Sequence, residues 1–283
     1  MGCSQSSSSA VEEGIEEVAK RRQSVVAPPP VIRVNVGSNV KFQPPPHTKI
    51  VAILGGPGSG KGRMVANLRS MFGMRLISVE SIILKYLPKK VAHSMKINSV
   101  DEIADLVRKE PSHVSLEWVL RLLQHYIESD PDQIFVVDLV PSLRWLLRDE
   151  HLIKDCSTEL ENFESRCPIS FAIHLSLGLE SLDNTLDYSH HNAPAPPGAT
   201  VGDEADNGRA KRRFHMHENA CKAFLEYFSS SDRLLSIDVS SGAEEPIWDK
   251  THEFFTGLQL KAWRPVNSML VFAMGTWAFP AQS

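Results

Sequence analysis

A basic excess is missing from this sequence. Its 30 Lys and Arg residues are outnumbered by 34 Asp and Glu, leaving a net charge of -4 and a pI near 6.3. That balance argues against general nucleic-acid binding, so no nucleic-acid partner is expected. Cysteine is scarce. Cys3, Cys156, Cys167 and Cys221 stand at scattered spacings with no Cys-x-x-Cys or Cys/His run. This excludes a disulfide framework and a zinc site and points to a reducing, intracellular compartment. The first 20 residues have no continuous apolar core, so no secretory signal is read there. No G-x-S-x-G nucleophile motif is present. His190 and His191 fall in a Pro-rich stretch without a carboxylate partner, and metal binding is not expected of them. His215 and His217 are two apart on a helical stretch and so belong to different faces.

What is present is ordinary for a globular chain: 42% apolar and 23% charged residues over 283 positions, enough for one good-sized α/β domain with extensions or two small domains. The N-terminus carries a separate message. MGCSQS fits M-G-x-x-x-[S/T], with Gly2 as a myristoylation acceptor and Ser6 at the required place. Cys3 offers a palmitoyl site, and two lipid chains anchor stably where one does not. Lys20, Arg21 and Arg22 would add contact with acidic lipid, opposed by Glu12, Glu13, Glu16 and Glu17. The competing reading is a Ser-rich tail that matches by chance. The lipid reading expects a cytoplasmic protein held peripherally on the inner leaflet of the plasma membrane or another membrane.

Residues 1–48 are rich in Ser and Pro, with PPP at 28–30 and 44–46, and read as a disordered tether. VIRVNV (31–36) alternates as a strand would, between prolines that argue against one. Order is expected from Lys49. KIVAILGG reads as a buried parallel strand, then a Gly-rich turn and a helix to about Phe72. RLISVE is a second short strand running into the helix ESIILKYL. SVDEIADLVRKE and SLEWVLRLLQHYIES are amphipathic helices, the latter with Leu116, Val119, Leu120, Leu122, Leu123 and Tyr126 on its apolar face. IFVVDLV (134–140) is an apolar strand followed by a helix, LRWLLRDEHL, and PISFAIHLSL (168–177) is another strand. Residues 187–208 read as a loop, followed by a basic helix from about Arg209 to Phe228, the strand RLLSIDVS and the helix PIWDKTHEFFTGL. This alternation predicts a parallel sheet with helices on both faces, spanning 49–258. The apolar tail 259–283, with VNSMLVFAMGTWAF, is too short to span a membrane, which takes about 20 residues. It reads either as an edge strand or as the start of a further domain.

The chemistry-bearing stretch is ILGGPGSGKGRM, residues 53–64. Gly55, Gly56, Pro57, Gly58, Ser59, Gly60 and Lys61 satisfy G-x-x-x-x-G-K straight after a strand and before a helix. Glycines let backbone N–H groups converge on phosphate without Cβ clashes, the helix N-terminus adds partial positive charge, and the lysine reaches β and γ oxygens. The alternative for such a stretch is a purely structural turn.

GGPGSGKG resembles the adenylate kinase branch of the nucleoside monophosphate kinases, whose loop reads GGPGSGKGT. The resemblance extends in order of elements over 49–258. LISVESIILKYL stands at the family's L-S-T-G-D/E-L-L-R segment, and KEPSHVSLEWVLRLLQHYI at the helix pair after its V-P signature. IFVVDLVPSL stands at F-[IL]-[IL]-D-G-[YF]-P-R, and ISFAIHLSLGLESLDNTL at its fourth strand and R-L-x-x-R helix. GRAKRRFHMHENACKAFLEYF is similar to its I-x-K-R-L-x-x-Y helix, and RLLSIDVSSG to the strand that closes the adenine pocket. The resemblance implies a P-loop NTPase-type fold, ATP and Mg²⁺ as cofactors, nucleotides as partners and a monomeric core. It assigns the nucleotide loop to Gly56 through Arg63, including Gly62, catalytic roles to Lys61 and Arg213, and the water-mediated Mg²⁺ contact to Asp138. A strand-end turn is the other reading of Asp138, and a solvated helix face that of Arg209, Lys211, Arg212 and Arg213. The chain departs from the pattern at Arg63 for Thr, at Leu84, Ser142 and Asn184 for arginines, near Tyr188 for the lid partner, and at Val79 and Glu80 for the acceptor-base contacts. In this family catalysis is a positive cage around moving phosphate, so these losses bear directly on rate. Three functions are expected of such a chain. One is phosphoryl transfer from Mg·ATP to a nucleoside monophosphate, AMP foremost. The second is a catalytically impaired, membrane-tethered nucleotide-binding or adaptor protein. The third is a P-loop small-molecule kinase with a changed acceptor.

Overall fold

A computed structural model describes residues 30–149, 152, 155–182 and 204–260, with side chains from 208 in the last stretch. The chain divides after Val31, and every strand and helix named in this subsection belongs to the unit that begins at Ile32. The lipidation residues Gly2 and Cys3, the loop histidines His190 and His191, Asn184, Tyr188 and the tail beyond 260 lie outside the described residues.

Six strands form one sheet: β1 (Val34–Val36), β2 (Ile50–Leu54), β3 (Arg75–Ser78), β4 (Phe135–Asp138), β5 (Phe171–Ser176) and β6 (Leu234–Asp238). Their spatial order is β1-β6-β5-β2-β4-β3. All pairings are parallel except β1 with β6, where Val34 faces Ile237. From β2 the chain leaves to one side, filling β3 and β4, and then crosses to the other for β5 and β6. The carboxyl end of β2 is therefore the point where the winding reverses, the place where open α/β sheets bind ligands.

The two apolar surfaces follow from strand alternation. Ile50, Ala52, Leu54, Phe135, Val137 and Ala172 face one side, and Val51, Ile53, Val136, Ile173, Leu235 and Ile237 face the other. The first side is covered by α2 (Val79–Lys90), α3 (Val100–Lys109), α4 (Leu116–Glu128), α5 (Ser157–Glu164) and α6 (Glu204–Ser230). The second is covered by α1 (Lys61–Phe72) and α7 (Glu244–Gly257). This is the α/β sheet with helices on both faces that the pattern predicts. Helix starts are chemically marked. Ser78, Ser99 and Ser115 cap α2, α3 and α4 by accepting from the N–H of Ser81, Glu102 and Trp118. Gly73 closes α1 in the left-handed region, donating its N–H to the Arg69 carbonyl.

Four local differences from the sequence reading stand out. VIRVNV does join the sheet: its prolines flank the strand rather than interrupt it, so the β1–β6 ladder keeps its N–H donors. Ile32 and Val34 pack on the core, Val40 is buried, and the Phe42 ring lies 5.5 Å from that of Phe171. Packing therefore begins before Lys49. The segment LRWLLRDEHL forms turns at 144–148 rather than a helix, although Leu146 and Leu147 are buried as an amphipathic helix would bury them. An eight-residue helix, α5, is present where none was expected. Finally, α6 already runs from Glu204, so the expected loop does not extend to 208.

Candidate functional site

The loop between β2 and α1 is shaped by glycine where other residues would be strained. Gly58 has φ 81° and Gly60, the cap of α1, has φ 70°. Ser59 is buried and serves the loop itself: its hydroxyl donates to the Gly56 carbonyl at 2.7 Å, and its N–H donates to the same oxygen at 3.2 Å. Gly55 and Gly56 are needed for close approach. A Cβ on Gly55 would lie 2.7 Å from Ser59 Oγ, and one on Gly56 would lie 3.2 Å from His217 Nδ1.

Lys61 opens α1 and points across the end of the sheet to Asp138, the last residue of β4. Its Nζ lies 2.9 Å from Oδ1 and 2.8 Å from Oδ2, with both side chains largely buried. Burial pushes the Asp138 carboxyl above its ordinary range; attraction and hydrogen bonding from Lys61 oppose this, while the Glu80 charge adds to it.

A cavity of about 260 Å³ lies over the loop, lined by Gly55, Gly56, Pro57, Gly58, Gly60, Lys61, Gly62, Ser142, Leu147, Arg213 and His217. Of the residues picked from sequence, the structure brings the loop glycines, Pro57, Lys61 and Arg213 together here, with Asp138 held on Lys61. Arg63 is not in the lining. Its guanidinium pairs instead with Glu244, in the first turn of α7, and both side chains are more than half exposed. An acid at a helix N-terminus is the electrostatically favoured place for a carboxylate, and this one draws Arg63 onto the outer side of α1. Ser59 is likewise absent from the cavity wall. Leu84, at one lost arginine position, packs partly buried against the core, and Ser142, at another, lines the cavity without supplying charge. Arg213 has no carboxylate partner among the described residues.

Two residues contribute in ways the sequence reading does not assign. His217 lies four residues beyond Arg213 on α6, on the same face, and is only 4% exposed. It stands where the pattern K-R-L-x-x-Y would place a tyrosine. Burial, then the charges of Lys61 and His174, press its pKa down to about 3, so at neutral pH the ring is uncharged. Cys221 Sγ lies 3.3 Å from His217 Nδ1, and burial pushes that thiol up to about 12, which keeps it un-ionised. His217 also borders a second cavity of about 430 Å³ reaching His174 and Ser176 on β5. The second contributor is Glu80, whose Oε2 accepts from the N–H of Ser142 at 2.8 Å and of Leu143 at 3.0 Å. The pattern K-R-L-x-x-Y is a signal for His217; the resemblance puts Glu80 at an acceptor-base contact position, but nothing in the sequence signals its bonds to amides 62 and 63 residues away.

No family model matches the chain. A uridylate kinase of Schizosaccharomyces pombe is 26% identical over 195 residues, which cover 67% of this chain and 88% of that protein. The chain is nucleoside monophosphate kinase-like. The similarity reaches that group as a whole and does not single out the adenylate kinase branch. Among the described residues no helix is long and apolar enough to cross a membrane, and no cluster of three or more His, Cys, Asp or Glu forms a metal site.

Proposed function

We propose that this chain binds the phosphates of ATP over the 55–61 loop and acts as a nucleoside monophosphate kinase-like phosphotransferase with a weakened transfer site. The carrying observation is the convergence of Lys61 and Arg213 on one glycine-walled cavity at the winding reversal of the sheet. The residues suit the ligand. Gly58 and Gly60 let the loop take its left-handed turns, backbone N–H groups at the start of α1 offer donors, and Lys61 supplies a point charge. Mg²⁺ fits as well. It usually takes one or two carboxylates plus substrate phosphates and waters, and Asp138 is a single hard carboxylate beside Lys61. When bound, the ion would neutralise charge on the phosphates during transfer. Phosphate reaching Lys61 competes with Asp138 for its ammonium, and Arg213 lines the same cavity. His217 closes the side of the loop at Gly56 and excludes water there.

AMP is the acceptor to test first, from the resemblance of the loop, with UMP beside it because the relative is a uridylate kinase. The experiment is a coupled assay for ADP formation from Mg·ATP with a panel of monophosphates, on the wild type and on Lys61→Ala. Turnover that survives Lys61→Ala refutes the site.

A second reading, favoured by the pairing of Arg63 with Glu244 and by the uncharged Leu84 and Ser142, is an impaired enzyme retained as a nucleotide-binding adaptor, tethered to an inner leaflet through lipid on Gly2 and Cys3. ATP binding without turnover on any monophosphate selects it. Labelling with a myristate analogue, lost in Gly2→Ala, tests the tether, and an unlabelled wild type sinks it.

A further inference from the structure

The amides of Ser142 and Leu143 leave the carboxyl end of β4 and converge on one oxygen of Glu80. Two adjacent N–H groups aimed at one point form an anion-binding concavity. Bonds from such groups to a carboxylate are charge-assisted and roughly twice as strong as neutral ones. Ser142 is also a wall of the loop cavity, so the concavity lies at the edge of the space that Lys61 and Arg213 face. Glu80 is the second residue of α2, and its backbone is fixed by the Ser78 cap just before it. The Asp138 carboxyl is raised chiefly by burial, and the Glu80 charge adds to that.

We infer that Glu80 is a built-in occupant of an anion site on the acceptor side of the loop cavity, and that it excludes a monophosphate group from the Ser142 and Leu143 amides. This rests on reading the cavity as a phosphate-transfer site. A monophosphate arriving there must displace a carboxylate from two charge-assisted hydrogen bonds and then lie beside the displaced charge. Specificity through a repulsive element of this kind needs no contact with the rejected ligand. Much of the surrounding positive charge is already engaged or missing: Lys61 is held by Asp138, Arg63 by Glu244, and the neighbouring side chain Leu84 carries no charge, which leaves Arg213 on the cavity wall as the counter-charge. Glu80 is thus a specificity-determining residue. Its removal is a gain of function, which a merely structural carboxylate would not produce.

The test measures AMP binding by titration calorimetry at fixed ionic strength, using the full chain as wild type, Glu80→Gln and Glu80→Gly. Gln keeps a carbonyl oxygen for the two amides but removes the charge, and a severalfold tighter Kd is expected. Gly vacates the concavity, and a gain of at least tenfold is expected, with the Kd for ATP unchanged within twofold. A cooperatively melting Glu80→Gly that binds AMP no better than wild type overturns the inference. If Glu80→Gly does not fold, unchanged AMP affinity in Glu80→Gln overturns it instead. An equal gain for ATP also overturns it, since that would be a general field effect. Should ATP fail to bind all three proteins, the reading of the loop falls, while the AMP comparison still decides this inference.

Discussion

Acid should unfold this protein through His217, and the size of the effect follows from where the ring sits. The imidazole is buried against Gly56 with Lys61, Arg213, His174 and Cys221 around it, and its pKa is pressed to about 3. In the unfolded chain the same ring titrates near 6.5. Between those values the unfolded state holds a proton that the folded state refuses, so stability falls as pH drops below about 6.5. Each pH unit in that window is worth about 1.4 kcal/mol for one proton, hence roughly 2 kcal/mol between pH 6.5 and 5. That is a large share of the roughly 5–15 kcal/mol that holds a typical domain together. His174, also lowered by burial, acts in the same direction. Asp138 acts in the opposite one: its raised carboxyl keeps a proton in the folded state after the unfolded chain has released it, so acid favours folding there. Both remain in a His217→Met variant, so the difference between the two proteins isolates His217. Urea unfolding at pH 7 and pH 5 should show the wild type losing about 2 kcal/mol more than His217→Met over that interval. Equal losses in the two proteins would refute the buried, neutral histidine.

Other perturbations have calculable sizes. Arg233 donates to Glu164 at 2.7 and 3.0 Å in a largely buried pair, and Tyr227 donates to the same carboxylate. Glu164→Ala strands that guanidinium and should cost about 3–5 kcal/mol in urea titration; a loss under 1 kcal/mol would mean the pair is solvated. On α4, Leu123 is fully buried whereas Leu122 is only partly so, and their alanine variants should separate, with about 2–5 kcal/mol lost at Leu123 and clearly less at Leu122. Gly58→Ala forces a Cβ into φ 81° and should cost about 1–2 kcal/mol of stability together with a weaker Kd for ATP; unchanged binding would argue that the loop conformation is not the binding one.

The parts legible in the sequence were those set by neighbouring residues. β2, the glycine loop and the start of α1 are contiguous, so their apolar run, turn chemistry and Lys61 announce themselves within a dozen positions. The serine caps of α2, α3 and α4 are equally local. What stayed hidden was long-range or marginal. The Arg63 side chain is decided by Glu244, and the amides of Ser142 and Leu143 by Glu80, partners that no spacing rule connects. The turns at 144–148 bury Leu146 and Leu147 just as a helix would, so an apolar pattern cannot separate one turn from three. α5 is a short helix whose cap position is Cys156, with no side-chain cap bond to mark its start. His217 was assigned correctly to a face different from that of His215, but the element that face meets is set by the packing of α6 over the loop.

The central claim is that Lys61, drawn between Asp138 and incoming phosphate, makes the glycine loop a nucleotide site. Calorimetric titration of Mg·ATP into the wild type and Lys61→Ala tests it most directly. Saturable binding at one site is expected in the wild type, with a loss of at least tenfold in affinity in the variant. Equal affinity in the two proteins, or no binding to a folded wild type, would contradict the claim.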